Sequence, residues 1–205
     1  GDFYWMEPQT DQVIFAAADC TGHGVPGAMV SVVCSNALNR AVREFQLTEP
    51  AKILDKTLEI VIERFEKSEE DVKDGMDIAL CSYQSKERIL NYAGAHNPLW
   101  IIRKNSTEVE EIKADKQPIG MYAAHKPFTN HQIQLFEGDT VYIFSDGYVD
   151  QFGGEKGKKF KTVNFKKLLL SIQEKEIEEQ YAIIKQNFTE WKSTIEQLDD
   201  VCVIG

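Results

Sequence analysis

The chain has 205 residues, enough for one domain with a substantial core, and 42% of them are apolar, which excludes a disordered chain. Its formal net charge of −10 argues against nucleic acid as a partner, because gripping a phosphate backbone takes clustered Lys and Arg. No apolar run reaches the ~18 residues of a membrane span, no secretory leader is present, and Cys20, Cys34, Cys81 and Cys202 lack C-x-x-C spacing, so a reduced, cytoplasmic setting fits better than a disulfide or zinc framework.

Residues 1–5 read as a strand end or a turn, and 13–18 as a buried strand. The strand leads into Asp19-Cys20-Thr21-Gly22-His23-Gly24-Val25-Pro26-Gly27, a glycine-rich turn. A helix over 26 to about 45 follows, with Met29, Val32, Val33 and Leu38 in a largely apolar body. Pro26 suits its first turn, where a missing N–H costs nothing. Thr48 offers a cap for a second helix, which Leu54, Leu58, Val61, Ile62 and Phe65 make amphipathic to about 67. Residues 66–77 form an acidic connector. Strands over 76–83 and 88–93 join at Gln84-Ser85-Lys86-Glu87, and 99–103 pairs with 109–112. Residues 131–136 and 140–145 flank Glu137-Gly138-Asp139, which reads as a further hairpin. Helices over 164–174 and 176–195 carry Leu168, Leu169, Ile172, Ile177, Tyr181, Ile184 and Phe188 on their inner faces, and 201–204 closes the chain as a strand. Strands clustered between helix pairs predict an α+β fold rather than alternating βαβ units.

The chemistry-bearing residues are carboxylates at the edges of these runs. Asp19 ends a strand beside glycine, which lets backbone come close; Asp146 and the Asp199-Asp200 pair sit at other strand edges, and Asp2 stands near the start. Carboxylates converging from separate strands, without clustered histidines, suit Mg²⁺ or Mn²⁺, which prefer oxygen ligands. Two such ions about 3.5–4 Å apart are one route to phosphate-ester hydrolysis. Taken singly, each has a plainer reading: Asp146-Gly147 as a turn, Asp199-Asp200 as a strand cap, Asp2 as a frayed terminus.

Asp19-x-x-Gly22-His23-Gly24, Tyr142-Ile143-Phe144-Ser145-Asp146-Gly147 and Asp199-Asp200-Val201-Cys202-Val203-Ile204 resemble the SpoIIE/RsbU-like branch of the metal-dependent type-2C (PPM) serine/threonine protein phosphatases. So do Ala93-Gly94-Ala95-His96-Asn97-Pro98, Pro118-Ile119-Gly120 and the opening Gly1-Asp2-Phe3-Tyr4, and the matches run in family order along the whole chain. The resemblance implies a four-layer α/β/β/α sandwich, two antiparallel sheets flanked by helix pairs, in a single domain over 1–205. It implies two ions, Mn²⁺ or Mg²⁺, with Asp19 as the carboxylate shared by both, the Cys20 carbonyl and Asp2 on one, and Asp146 and Asp199 on the other. Asp19 and Asp146 are then the catalytic pair, and a water held between the ions is the nucleophile, with no covalent phospho-enzyme. Asp200 stands behind Asp199, and a one-residue shift would exchange the two.

Two residues are accessory candidates. His23 follows Asp19 at a wider interval than in the better-known type-2C enzymes, so loop packing competes with a general-acid role. Asp77 is either an extra or regulatory ligand or an exposed strand-end charge. His96 lies in a strand-turn signature and reads as structural, with Asn97 as the turn residue. The phosphate-binding arginine of many eukaryotic relatives has no counterpart in this sequence.

The implied substrate is a phosphorylated anti-anti-sigma-like (STAS) regulatory protein in bacterial partner-switching signalling. Because the chain starts at Gly1 rather than Met, directly on a motif, the expectation is a C-terminal fragment of a longer protein with a sensor, and any membrane anchor, upstream. A homodimer is left open, and the first two helices are candidates for transmitting control. The competing readings are a catalytically weak phosphatase-fold module that only binds a partner, and a nucleotide phosphodiesterase, for which no base-holding residues stand out.

Overall fold

The computed structural model describes residues 1–22, 24–65, 74–121 and 124–205. Two strands, β1 (Phe3–Pro8) and β2 (Val13–Cys20), precede two helices, α1 (Gly24–Arg43) and α2 (Pro50–Phe65). Seven strands follow: β3 (Gly75–Gln84), β4 (Ile89–Ala95), β5 (Leu99–Ile102), β6 (Glu110–Ile112), β7 (Ile119–Gly120), β8 (His131–Gln134) and β9 (Thr140–Phe144). A one-turn helix, α3 (Gly147–Asp150), leads to the small strands β10 (Phe152–Gly153) and β11 (Lys158–Lys159). Helices α4 (Thr162–Ile172) and α5 (Ile177–Lys192) and strand β12 (Val203–Ile204) end the chain.

These strands make two main antiparallel sheets. One has the order β1-β2-β3-β4-β8, with β7 also on β3; the other has the order β12-β9-β5-β6. Three cores separate four layers. Ala16 and Ala18 of β2 face α1 and α2, together with Ile78 and Leu80 of β3. Ala17, Ala79 and Cys81 point the other way, against Leu99, Ile101 and Ile143 of the second sheet. Trp100, Tyr142 and Phe144 cover the outer face of that sheet beneath α4, with Phe165 and Leu169. The alternation is the period-two consequence of the pleat, and the buried, double-sided run of β2 is what such a sandwich requires. The α+β four-layer arrangement expected from the resemblance is therefore present.

Local expectations need correction. The stretches 131–136 and 140–145 do not form a hairpin: β8 pairs with β4 in the first sheet, whereas β9 pairs with β5 and β12 in the second. The turn between them carries the chain across the sandwich. Arg103 holds it by a 2.7 Å ion pair to Asp139, whose carboxylate also accepts the N–H groups of Phe136 (3.0 Å) and Lys104 (3.1 Å). On α1, Met29 (67% exposed) and Val32 (69% exposed) face outward, and Val30, Cys34, Ala37, Leu38 and Ala41 make the buried stripe. On α5, Ile177 and Tyr181 also face outward. Residues 1–5 belong to a full edge strand paired with β2. Residues 66–73 of the acidic connector lie outside the described residues, and 75–77 belong to β3. Among the described residues, no helix is long and apolar enough to cross a membrane.

Candidate metal centre

Strand β2 of the first sheet and β9 of the second touch across the interior, and both end near the same rim. Asp19 is the penultimate residue of β2 and lies directly opposite Asp77 of β3. Asp146 follows β9 and opens α3. Asp199 and Asp200 are followed by Val201 and Cys202, which lead into the closing strand β12, itself paired with β9. Asp2 precedes β1, whose Phe3 pairs with Ala18. Four segments far apart in sequence thus deliver carboxylates to one edge of the sandwich.

Contacts within the rim are specific. Carboxylate oxygens of Asp2, Asp199 and Asp200 lie within 4.8 Å of one another. The Ser145 hydroxyl donates a short hydrogen bond to Asp2 Oδ2 and accepts the Cys202 N–H at 2.9 Å. The Ser145 N–H donates to the Cys202 carbonyl at 3.0 Å, so one serine ties β1 to the β9–β12 pair. The Asp200 N–H donates to Asp199 Oδ1 at 2.9 Å, and the Asp2 N–H points to Asp200 Oδ2 at 3.4 Å. The Gly1 ammonium donates to the carbonyls of Cys20 (3.2 Å) and Gly22 (2.9 Å) and lies 3.5 Å from Asp200 Oδ2.

Two glycines set the close approaches. A Cβ on Gly147 would lie 1.9 Å from the Asp200 carbonyl oxygen, and one on Gly27 would lie 2.3 Å from that of Gly22. Gly147 lets α3 press against the Asp199-Asp200 segment, and Gly27 clamps the turn after Cys20.

The electrostatics are those of crowded carboxylates. Burial, then Asp2, Asp146 and Asp199, push the Asp19 carboxyl up to about 7. Burial also raises Asp146, with Asp150, Asp199, Asp2 and Asp77 adding to it. Asp2 is raised by burial against the opposing hydrogen bond from Ser145, and by Asp199 and Asp200. Asp199 acts on Asp2, Asp19 and Asp146 alike, whereas Asp200 acts on Asp2. Asp199 and Asp200 are both exposed, and each brings a carboxylate oxygen within 4.8 Å of Asp2.

The donor set fits hard divalent cations. It is all oxygen, its charges repel one another, and Asp2 Oδ1 is buried without a hydrogen-bond partner among the described residues. Of the accessory candidates, His23 lies outside the described residues. Asp77 is half-buried and is held by His96, whose Nδ1 lies 2.8 Å from Asp77 Oδ1. His96 adopts a left-handed backbone (φ +57°), so the turn aims its ring back along β3. The sequence reading assigned no role to Ser145 or Gly147, although both stand in the quoted Phe144-Ser145-Asp146-Gly147 run. Their small size beside a candidate ligand was the available signal.

Comparisons with known proteins bear on the fold and the family. The family model for Stage II sporulation protein E (SpoIIE) matches residues 9–205. The chain is similar to the SiaA PP2C domain of Pseudomonas aeruginosa at 29% identity and a TM-score of 0.87, covering 98% of this chain and 77% of that one. It shares its fold with the RsbU and RsbW domains of Rv1364c from Mycobacterium tuberculosis (19% identity, TM-score 0.77, covering 98% of this chain and 53% of that one). The same holds for the PP2C phosphatase domain, with a fragment of the regulatory domain, of the cell fate determinant SpoIIE from Bacillus subtilis (16% identity, TM-score 0.75, 98% of this chain and 55% of that one). The chain thus spans about half the length of these last two. No curated protein sequence matches it significantly. With a family match over nearly its whole length and a phosphatase-domain fold around a carboxylate cluster, the chain belongs to the SpoIIE family, as a SpoIIE/RsbU-like member of the metal-dependent type-2C phosphatases.

Proposed function

We propose that this domain hydrolyses phosphoserine or phosphothreonine on a regulatory protein of the STAS type, using two divalent cations, Mn²⁺ or Mg²⁺. The observation that carries the reading is the cluster itself: Asp2, Asp19, Asp146 and Asp199 crowd one rim from four segments, and three of them hold protons more tightly than ordinary carboxyls do. Such a cluster costs stability unless cations offset it.

The residues that would hold the ions are Asp2, Asp19, the Cys20 carbonyl, Asp146 and Asp199, with Asp200 beside Asp199. Bound there, the ions supply neutralising charge to phosphoryl oxygens and acidify water. The chain's own residues fix the geometry. Ser145 orients Asp2, Gly147 seats the Asp199-Asp200 segment, and the antiparallel register of β2 and β3 sets Asp19 beside Asp77. With Asp19 raised to about 7, a cation competes with a proton for it near neutral pH. Asp77, already engaged by His96, acts here as an accessory group near the rim rather than as a principal ligand.

A phosphoprotein partner and an upstream sensor are part of this proposal; in its support, the M. tuberculosis structure contains RsbU and RsbW domains, and the B. subtilis one carries a fragment of a regulatory domain. The test is turnover of p-nitrophenyl phosphate and of a phosphorylated STAS protein with and without Mn²⁺. Both activities are expected to need the metal, and Asp19→Asn or Asp146→Asn should lose more than the ~100-fold that removing an outer partner of a metal ligand costs. Turnover that survives chelation would overturn the reading.

A further inference from the structure

The segment after α3 is unlike the rest of this acidic chain. Between Lys156 and Lys167 stand six lysines, Lys156, Lys158, Lys159, Lys161, Lys166 and Lys167, and no acidic residue, against a net charge of −10 for the whole. The first four lie in and just after the β10–β11 hairpin, and all four are exposed. A pair of two-residue strands has no stability of its own, so its support matters. Phe160 is buried and packs edge-on against Tyr148 (5.3 Å between ring centroids) and Trp191 (5.1 Å). The Phe160 N–H donates to the Gln151 carbonyl (3.0 Å), the Lys161 N–H to that of Val149 (2.7 Å) and the Gly154 N–H to that of Trp191 (2.9 Å). Gly153 is pressed so close to Trp191 that a Cβ would sit 2.0 Å from its carbonyl oxygen. The hairpin is thus a fixed platform.

Its position ties it to the site. Lys159 Nζ pairs with Asp150 Oδ2 at 2.6 Å, and Asp150 lies one helical turn from Asp146, donating its N–H to the Asp146 carbonyl at 2.9 Å. Lys159 is thereby committed, as is Lys166, which pairs with Glu111 at 2.7 Å. Lys156, Lys158 and Lys161 make no ion pair among the described residues. Lys161 also adopts a left-handed backbone (φ +72°), a strain that its two-sided hydrogen bonding sustains.

Resting on the phosphatase reading, we propose that this lysine hairpin is the substrate-docking surface of the domain, taking the acidic segment that flanks the phosphorylated residue. The reason is charge complementarity. The rim of the metal centre is lined with carboxylates that repel an acidic phosphoprotein, and this hairpin beside α3 carries the opposite charge. Three uncommitted ammonium groups on a hairpin that Lys159 ties to Asp150, one helical turn from Asp146, attract such a segment and set its direction.

The test uses the intact chain with Mn²⁺ and two phosphoserine peptides that differ only in flanking Glu against Gln. The wild type should prefer the Glu-flanked peptide about tenfold in kcat/KM at low salt. The ratio should approach one at about 300 mM NaCl, where screening shortens to a few ångströms. In the double variant Lys156→Glu/Lys158→Glu the preference should vanish or invert at low salt. A ratio near one in the wild type, or one unaltered in the variant, would overturn the proposal. Fluorescence anisotropy with a labelled Glu-flanked peptide reads docking without turnover, so loss of hydrolysis of both peptides would remove the phosphatase reading while binding still decides the hairpin. A single-stranded oligonucleotide of equal charge that competes as well as the peptide would also overturn it, since the surface would then be a general polyanion binder.

Discussion

The first half of the sandwich holds its carboxylates with small side chains, the second with aromatic ones. Beneath α1 and α2 the contacts come from Ala16, Ala18, Cys34, Ala37 and Ala41, with Ile and Leu filling between. Beneath α4 and α5 they come from Trp100, Phe144, Tyr148, Phe160 and Phe165, in edge-to-face and stacked pairs 4.4–5.8 Å apart. Small residues let a long helix lie close to the sheet, so the turn bearing Cys20 is clamped by a 20-residue element. In the second half the element beside Asp146 is a single turn, and aromatic area provides the rigidity that the helix is too short to give. Yet both halves use one device at the site. A glycine in the first turns of a helix lies against a carbonyl of the neighbouring loop, Gly27 on Gly22 and Gly147 on Asp200.

Replacing those glycines breaks the comparison most sharply. Gly147→Ala puts a methyl 1.9 Å from the Asp200 carbonyl oxygen, and the segment before β12 has no helix or strand to resist displacement. Asp199 should move with it. Displacing a reacting group by about 1 Å can cost 100-fold in rate, and a loss of that order in metal-dependent turnover is expected. Gly27→Ala starts from a milder 2.3 Å approach to the Gly22 carbonyl oxygen, and the Asp19 end of β2 stays paired with β3, so the loss should be nearer tenfold. Equal losses would mean that the two halves are equally stiff, against the contrast drawn from their cores.

Ser145→Ala probes the seam between the halves. It removes the hydroxyl that bridges Asp2 and the Cys202 N–H and leaves that amide without its side-chain acceptor. The expected cost is about 1–3 kcal/mol of stability, and Mn²⁺ affinity should fall about tenfold because Asp2 loses its orientation. Denaturant unfolding and Mn²⁺ titration read the two effects separately. Unchanged affinity would mean that Asp2 is placed by β1 alone.

The parts that were legible in sequence are those with a change of period. The run 13–18 into glycines and then a helix announced the Asp19 turn, and the double-sided apolar strands announced a buried sheet. What failed were features without a periodic signature. Glu137-Gly138-Asp139 has the turn chemistry of a hairpin, and nothing local says that its two strands join different sheets; Arg103, 36 residues away, makes the difference. Helix α1 is apolar nearly all round, so pattern alone could not choose Val30 and Cys34 over Met29 and Val32. The lysine hairpin escaped because strands of two residues lie below any window, although Gly153-Gly154 and Gly157 amid lysines mark a turn. At the site, the sequence offers the aspartates without their spacing: the rim gathers Asp2 with Asp199 and Asp200, a proximity created by the β1–β2 register and by the Ser145 link to the β9–β12 pair.

The smallest expected effect is a pH dependence that distinguishes a cation site from a merely acidic rim. Asp19 is raised from 3.8 to about 7 by burial and by its neighbours, and Asp2 and Asp146 are raised in the same direction. A raised carboxyl keeps its proton in the folded state at a pH where the unfolded chain has lost it. The metal-free protein should therefore be most stable below about pH 4 as far as these groups are concerned, and lose stability as pH climbs from 3.8 through about 7. Asp55, raised by burial, adds a slope of the same sign that no metal at the rim can touch. In thermal unfolding with chelator, Tm should drift down by a few degrees across that window. Saturating Mn²⁺ should restore it near and above pH 7, where the carboxylates are free to bind. Asp19→Asn should flatten the slope and shrink the metal-induced rise together. A metal-induced rise that persists in Asp19→Asn would place the cation elsewhere on the chain and separate the acidic rim from the chemistry assigned to it.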